Sequence, residues 1–226
     1  KKDLLSPGTV VARFIHDNIR APSAINPIAV QVRQALDPAS SERYFLFGRF
    51  LFPNSSLITL NYVKVLEQLG KVSDAYACCS SFIKEVEITE DFVEYFINFL
   101  IRHRKYKICS EFLTTYNIGD KFHRSHGINI SLGDLQLCVG NFPAAIKYYK
   151  AAAKINKTPN LLRQLGLTLW ANGEIFSAFK TLALLFEVSE SATDKILFIK
   201  FLHSSEDCSA LSHLPLCVLI PVVQTS

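Results

Sequence analysis

Residues 161–182 read LLRQLGLTLWANGEIFSAFKTL, and residues 128–149, 33 positions earlier, read INISLGDLQLCVGNFPAAIKYY. Leu132-Gly133 is matched by Leu165-Gly166, Gly140 by Gly173, and Ala145 by Ala178. Further upstream, Gly70 and Ala75 repeat the second half of the pattern. With Cys109 in the alanine's place, the interval from Ala75 is 34 residues. Self-similarity at this period marks a stack of helix pairs, each of which needs a neighbour to bury its apolar face.

Working outward from that stretch, four units can be drawn. The fourth spans Pro159 to Ser191 and carries Leu162, Leu165-Gly166, Leu169, Gly173, Ala178 and Leu182. The third spans His126 to Thr158, with Pro143 at the start of its second helix, where a missing N–H costs nothing. The second, Glu90 to His123, predicts helices over Phe92 to Ile101 and Tyr106 to Tyr116, with Arg104 in place of the turn glycine. The first, Ser56 to Thr89, predicts helices over Leu57 to Leu69 and Val72 to Val86. A further helix, Thr193 to Leu202, would cover the fourth unit.

Upstream, Ile28 to Leu36 and Ser40 to Phe52 read as helices, the second capped by Ser40-Ser41-Glu42 and stopped by Pro53. Residues 1–27 are punctuated by prolines around one amphipathic stretch, Val10 to Ile19. The reading is therefore a lead-in with a capping pair over 1–55, a repeat array over 56–203, and a linker with an apolar tail over 204–226.

The small residues have a packing reason. Two antiparallel helices approach closely only where one presents a small side chain. Gly133 and Gly166 supply it on first helices, and Ala75, Ala145 and Ala178 on second helices. Phe142 and Phe176 are expected to fill the space between. Gly70, Gly140 and Gly173 let the backbone reverse.

These residues resemble the tetratricopeptide repeat, whose signature is W-x2-L-G-x2-Y, then A-x3-F, then P. The fourth unit matches best, with Leu162 and Leu169 for the aromatics. The third matches through Leu132, Gly133, Ala145 and Tyr149 but has Asn129 and Gln136 where aromatics are usual. The resemblance implies an all-α, right-handed superhelix that binds a peptide or partner protein along a groove lined by first helices. Carried over residue by residue, it places Asn61, Lys64, Gln68, Glu94, Tyr95, Asn98 and Arg102 on that wall. Asp134, Leu137, Arg163, Gln164, Leu167 and Trp170 continue it. One subset of the family clamps a C-terminal carboxylate with basic and amide residues. Glu94 stands where such a clamp would need a basic or neutral residue.

Two basic clusters, Arg102 to Lys107 and Lys121 to His126, lie at the two ends of the second unit's second helix. Arg104, Lys105, Lys107, Lys121 and Arg124 would form an edge for an acidic or phosphate-bearing partner. The net charge of +4 gives no strong nucleic-acid signal. His123 and His126 have no third ligand nearby, so no metal is expected, and no cofactor motif occurs. No catalytic constellation is present either. The six cysteines show no CxxC spacing or disulfide framework. They read as small buried hydrophobes in a reducing, cytoplasmic compartment. No run reaches the roughly 20 apolar residues of a membrane span. A mean hydropathy of +0.20 makes self-association the alternative means of covering apolar surface.

Leu216 to Pro221 resembles the first strand of a nucleotide-sugar-binding fold such as that of family-2-type glycosyltransferases, without the usual Tyr-Asn after it. Two function classes follow. One is a non-catalytic interaction scaffold. The other is the repeat region of a larger transferase.

Overall fold

Four turns set the architecture. Leu66 accepts from the N–H of Lys71, Leu100 from Lys105, Gln136 from Asn141, and Leu169 from Glu174, each at 2.8–2.9 Å. Every one is a backbone bond across six residues that ends one helix and turns the chain into the next. The residue at the bend has a left-handed backbone: Gly70 at φ 74°, Gly140 at 77° and Gly173 at 79°. The second repeat makes the same turn with Arg104 at φ 55°. The turn is thus kept where the glycine is not.

The computed structural model describes residues 37–86 and 88–204. The readings for Val10 to Ile19, Ile28 to Leu36 and Leu216 to Ile220 lie outside them. Eleven helices follow in order among the described residues: α1 Pro38–Leu51, α2 Ser56–Gln68, α3 Val72–Glu85, α4 Glu90–Arg102, α5 Tyr106–Thr115, α6 Ile118–Lys121, α7 His126–Cys138, α8 Phe142–Ile155, α9 Pro159–Ala171, α10 Ile175–Val188 and α11 Ala192–Ser204. No strand occurs among them. The all-α class expected from the sequence stands. The predicted boundaries of α2 to α5 and of α11 agree to within a residue or two. Two starts differ. Helix α1 begins at Pro38, because the carboxylate of Asp37, ahead of Ser40, accepts the N–H groups of Ala39 and Ser40 at 3.0 Å. Helix α6 was not expected. It is a single turn entered through Asn117 at φ 50°.

Each first helix with a resolved cap opens on a hydroxyl. Ser55 accepts from Ile58 N–H, Ser125 from Ile128 and Thr158 from Leu161. Such a cap stabilises a helix end by about 1 kcal/mol.

The chain forms two compact units, one up to Phe96 and one from Ile97, and the division falls inside α4. In the first unit, α1 packs on α2 and α2 on α3. Phe45, Ile58, Leu66, Ala75, Cys79, Phe82 and Phe92 are all at most 2% exposed. In the second unit, α7 packs on α8, α8 on α9, α9 on α10 and α10 on α11. Ala145, Tyr149, Leu161, Leu162, Leu165, Ala178, Leu182, Phe198 and Phe201 form its core.

The small-residue positions carry the close contacts. Ala75, Cys109, Ala145 and Ala178 are each 0% exposed. A Cβ on Gly133 would overlap the ring of Tyr149, and one on Gly166 would overlap Leu182. The expectation for Phe176 fails. Its ring is 49% exposed and lies under the ammonium of Lys180, 4.3 Å from the ring centre. Phe179, three residues on, takes the buried place instead, 2% exposed against Phe198. Phe142 is half-buried.

Candidate interaction site

In the first unit, α2 and the first turns of α4 are first helices of successive hairpins. Lys64 and Glu67, three residues apart on α2, share one face. Tyr95 of α4 meets both. Its hydroxyl donates to the Glu67 carboxylate at 2.6 Å, and the Lys64 ammonium lies 5.3 Å from its ring centre. All three side chains are half-buried, as is the neighbouring Glu94. The arrangement is an aromatic surface carrying one cation and one anion. It can take an amide or aliphatic side chain on the ring while the charges meet a polar backbone or a counter-charge.

Asn61 does not belong to this wall. It is 4% exposed, and its amide donates to the Leu57 carbonyl one turn back at 3.0 Å. Spacing assigned it to the wall, but the side chain closes its own helix. Glu67 was missed in favour of Gln68, although its i, i+3 relation to Lys64 is readable in the sequence.

In the second unit, Arg163 is a structural clasp. Its guanidinium donates through Nε and Nη2 to the two oxygens of Asp194 on α11, and through Nη1 to Asn160 at 3.0 Å. Asp194 is 1% exposed and also accepts from Ser189 Oγ at 2.6 Å. The bonds from Arg163 first, then Ser189, hold its carboxyl below the usual carboxylate range against the effect of burial. Trp170 is likewise committed to packing, with its indole set edge-on to Phe201 at 5.2 Å between centroids. Gln164 is exposed on α9, Asn98 is half-buried on α4, and Arg102 is exposed in the last turn of α4. Asp134 accepts from Tyr149 at 2.5 Å, so it too serves the fold.

The basic residues sit in two separate segments, one at the start of α5 and one at the end of α6. Arg104 and Lys105 form the turn before α5, Lys107 is exposed in its first turn, Lys121 ends α6, and Arg124 follows. The histidines do not share a site. His123 Nδ1 lies 2.8 Å from Asp120 O, and His126 Nδ1 lies 3.1 Å from Ala152 O. No cluster of three or more potential metal ligands occurs among the described residues. Cys78, Cys79 and Cys109 are buried free thiols, and burial pushes Cys109 up to about 12. Cys138 is exposed, unlike the others. No described helix is long and apolar enough to cross a membrane.

Helical hairpins joined by one recurring turn, with one small residue at each crossing, can be compared directly with solved structures. PilF of Pseudomonas aeruginosa superposes with a TM-score of 0.67 at 15% identity, over 88% of this chain and 91% of that one. The C-terminal part of a TPR repeat-containing protein from Cytophaga hutchinsonii gives 0.63 at 16% identity, over 88% and 79%. YrrB, a TPR protein with an unusual peptide-binding site, gives 0.61 at 10% identity, over 84% and 97%. The fold is that of the tetratricopeptide repeat. No protein-family model matches the chain, and neither does any curated protein. The third repeat departs from the tetratricopeptide signature at Asn129 and Gln136. Asn129 is 4% exposed, and its amide donates to the carbonyls of His123 and Ser125, so it ties the approach to α7 rather than filling an aromatic's place.

Proposed function

We propose that the chain is an intracellular interaction scaffold that takes a peptide, or an extended segment of a partner protein, on its first helices. The observation that carries this reading is the surface formed by Lys64, Glu67 and Tyr95, drawn from successive first helices and left half-buried in the first unit. A half-buried tyrosine flanked by a lysine and a glutamate offers a ring and both charges to a polar chain. YrrB, of the same fold, is described as having a peptide-binding site. The buried free thiols of Cys78, Cys79 and Cys109 support a reducing compartment.

The test begins with a phage-displayed peptide library selected on the whole chain. Affinity of a selected peptide is then measured for the wild type and for Lys64→Ala with Glu67→Ala. The double variant should bind at least about tenfold more weakly, as expected when contacts at the centre of an interface are truncated. Unchanged affinity would place the peptide elsewhere and remove this surface from consideration. Arg163→Ala is unsuited to the purpose, because it uncovers the buried Asp194.

A further inference from the structure

Helix α8 carries Lys147, Lys150 and Lys154 and no acidic residue. Their spacing of three and four places them on one face, and all three are exposed. They rim a groove of about 560 Å³. Its apolar lining comes from Pro143, Ile146 and Ala151, and its one acidic wall residue is Glu174, the residue before α10. Glu174 already demonstrates what the groove accepts. One carboxylate oxygen lies 3.6 Å from Lys150 Nζ, and the other accepts from Asn172 Nδ2 at 3.0 Å.

We propose that this groove, on second helices of the second unit, is an interaction surface for an acidic peptide segment of a partner protein. The partner's carboxylates meet Lys147 and Lys154 and compete with Glu174 for Lys150. Its apolar side chains lie on Pro143 and Ile146. Seven helical residues separate Lys147 from Lys154, about 10 Å along the axis. A polyproline II chain rises about 3.1 Å per residue with three residues per turn, so acidic residues three apart share one of its faces and fit the row. The apolar lining suits a peptide better than a nucleic-acid backbone, whose contacts are mainly to charged phosphates.

The probe is a fluorescein-labelled decapeptide with glutamate at every third position and leucine and serine between. A control peptide carries glutamine at those positions. Anisotropy is read with the full chain at low and high salt. The glutamate peptide should bind at least about tenfold more tightly than the control, with an affinity that falls with salt. Lys147→Gln with Lys150→Gln and Lys154→Gln should remove that preference. Glu174→Gln should tighten binding about two- to threefold by removing the internal competitor. Lys200→Gln, exposed on α11 and part of neither surface, should change nothing, which separates the groove from the general positive charge of the chain. Equal binding of the two peptides overturns the proposal, as does undiminished binding by the triple variant, or no binding at all. A labelled single-stranded oligonucleotide or inorganic phosphate that outcompetes the glutamate peptide would overturn it in favour of a phosphate site. The three lysines are exposed, so the triple variant is expected to keep its helical circular dichroism.

Discussion

In the third repeat Gly133 lies under the ring of Tyr149, and in the fourth Gly166 lies under Leu182. Both glycines sit on first helices, and both partners come 16 residues later. The neighbouring position changes in step. Asp134 accepts the Tyr149 hydroxyl in the third repeat, while Leu167 stands at the corresponding place in the fourth. One backbone arrangement is therefore filled in two chemistries. A tyrosine brings a hydroxyl that must find a partner inside the protein, and the repeat supplies a carboxylate for it. A leucine needs none. The shared requirement is the missing side chain at the glycine, and the filling can vary as long as polar groups are paired.

The largest expected effect separates the two fillings. Gly133→Ala sets a methyl into a tyrosine ring that is fully buried and tethered at its hydroxyl, so the ring cannot yield. Gly166→Ala meets Cδ2 and Cγ of Leu182, an aliphatic side chain with no hydrogen bond to hold it in place. Overpacking costs about 1–3 kcal/mol, and the gain in helix propensity returns somewhat under 1. Urea unfolding should show Gly133→Ala losing about 2 kcal/mol or slightly more, and Gly166→Ala about 1 or less. Equal losses would mean that the hydroxyl tether does not hold the ring.

Next in size is the tether itself. Tyr149→Phe removes a hydrogen bond to a carboxylate and should lose about 1.5 kcal/mol at neutral pH. Burial raises the carboxyl of Asp134 above its ordinary value, and the bond from Tyr149 works against that rise. Without the bond the native value climbs further. A group raised in the native state favours folding below its unfolded value, and that contribution is lost as pH rises through the native value. The deficit of Tyr149→Phe should therefore be largest at a pH above both native values and shrink as pH falls through the variant's native value, which lies above the ordinary carboxylate value. A deficit independent of pH would show that Asp134 is not the group concerned.

The smallest effect sharpens the contrast with the second repeat, whose turn holds Arg104 at φ 55° where its siblings have glycine. The left-handed backbone costs an L residue about 1–2 kcal/mol, offset in part by the larger unfolded-state entropy of glycine. Arg104→Gly should raise stability by about 0.5–1 kcal/mol in thermal or urea unfolding. A loss would indicate that the arginine side chain contributes more than the strain removes.

The hairpins were legible because their determinants are local. Gly140 and Gly173 mark turns, Ala145 and Ala178 mark crossings, and Pro143 and Pro159 sit at helix starts; each acts within one or two helical turns of its position. The Asp37 cap was missed because three serine and glutamate candidates follow it, and only backbone geometry chooses among them. The candidate site was legible in part. Lys64 and Tyr95 lie on first helices and meet there, yet Asn61, Arg163 and Trp170 occupy equally good positions by spacing and serve the fold.

The sequence by itself determined where helices begin, where they reverse, and which residues must be small. Those properties follow from backbone conformation and from the absence of a side chain, and both are local. Only the tertiary structure decided which surface groups are spoken for. Arg163 is committed because Asp194, 31 residues away, is buried beside it, and Tyr95 is set between charges because Glu67, 28 residues away, reaches its hydroxyl. Pairings at that range depend on how one hairpin stacks on the next, and the spacing of residues along a single helix does not encode them.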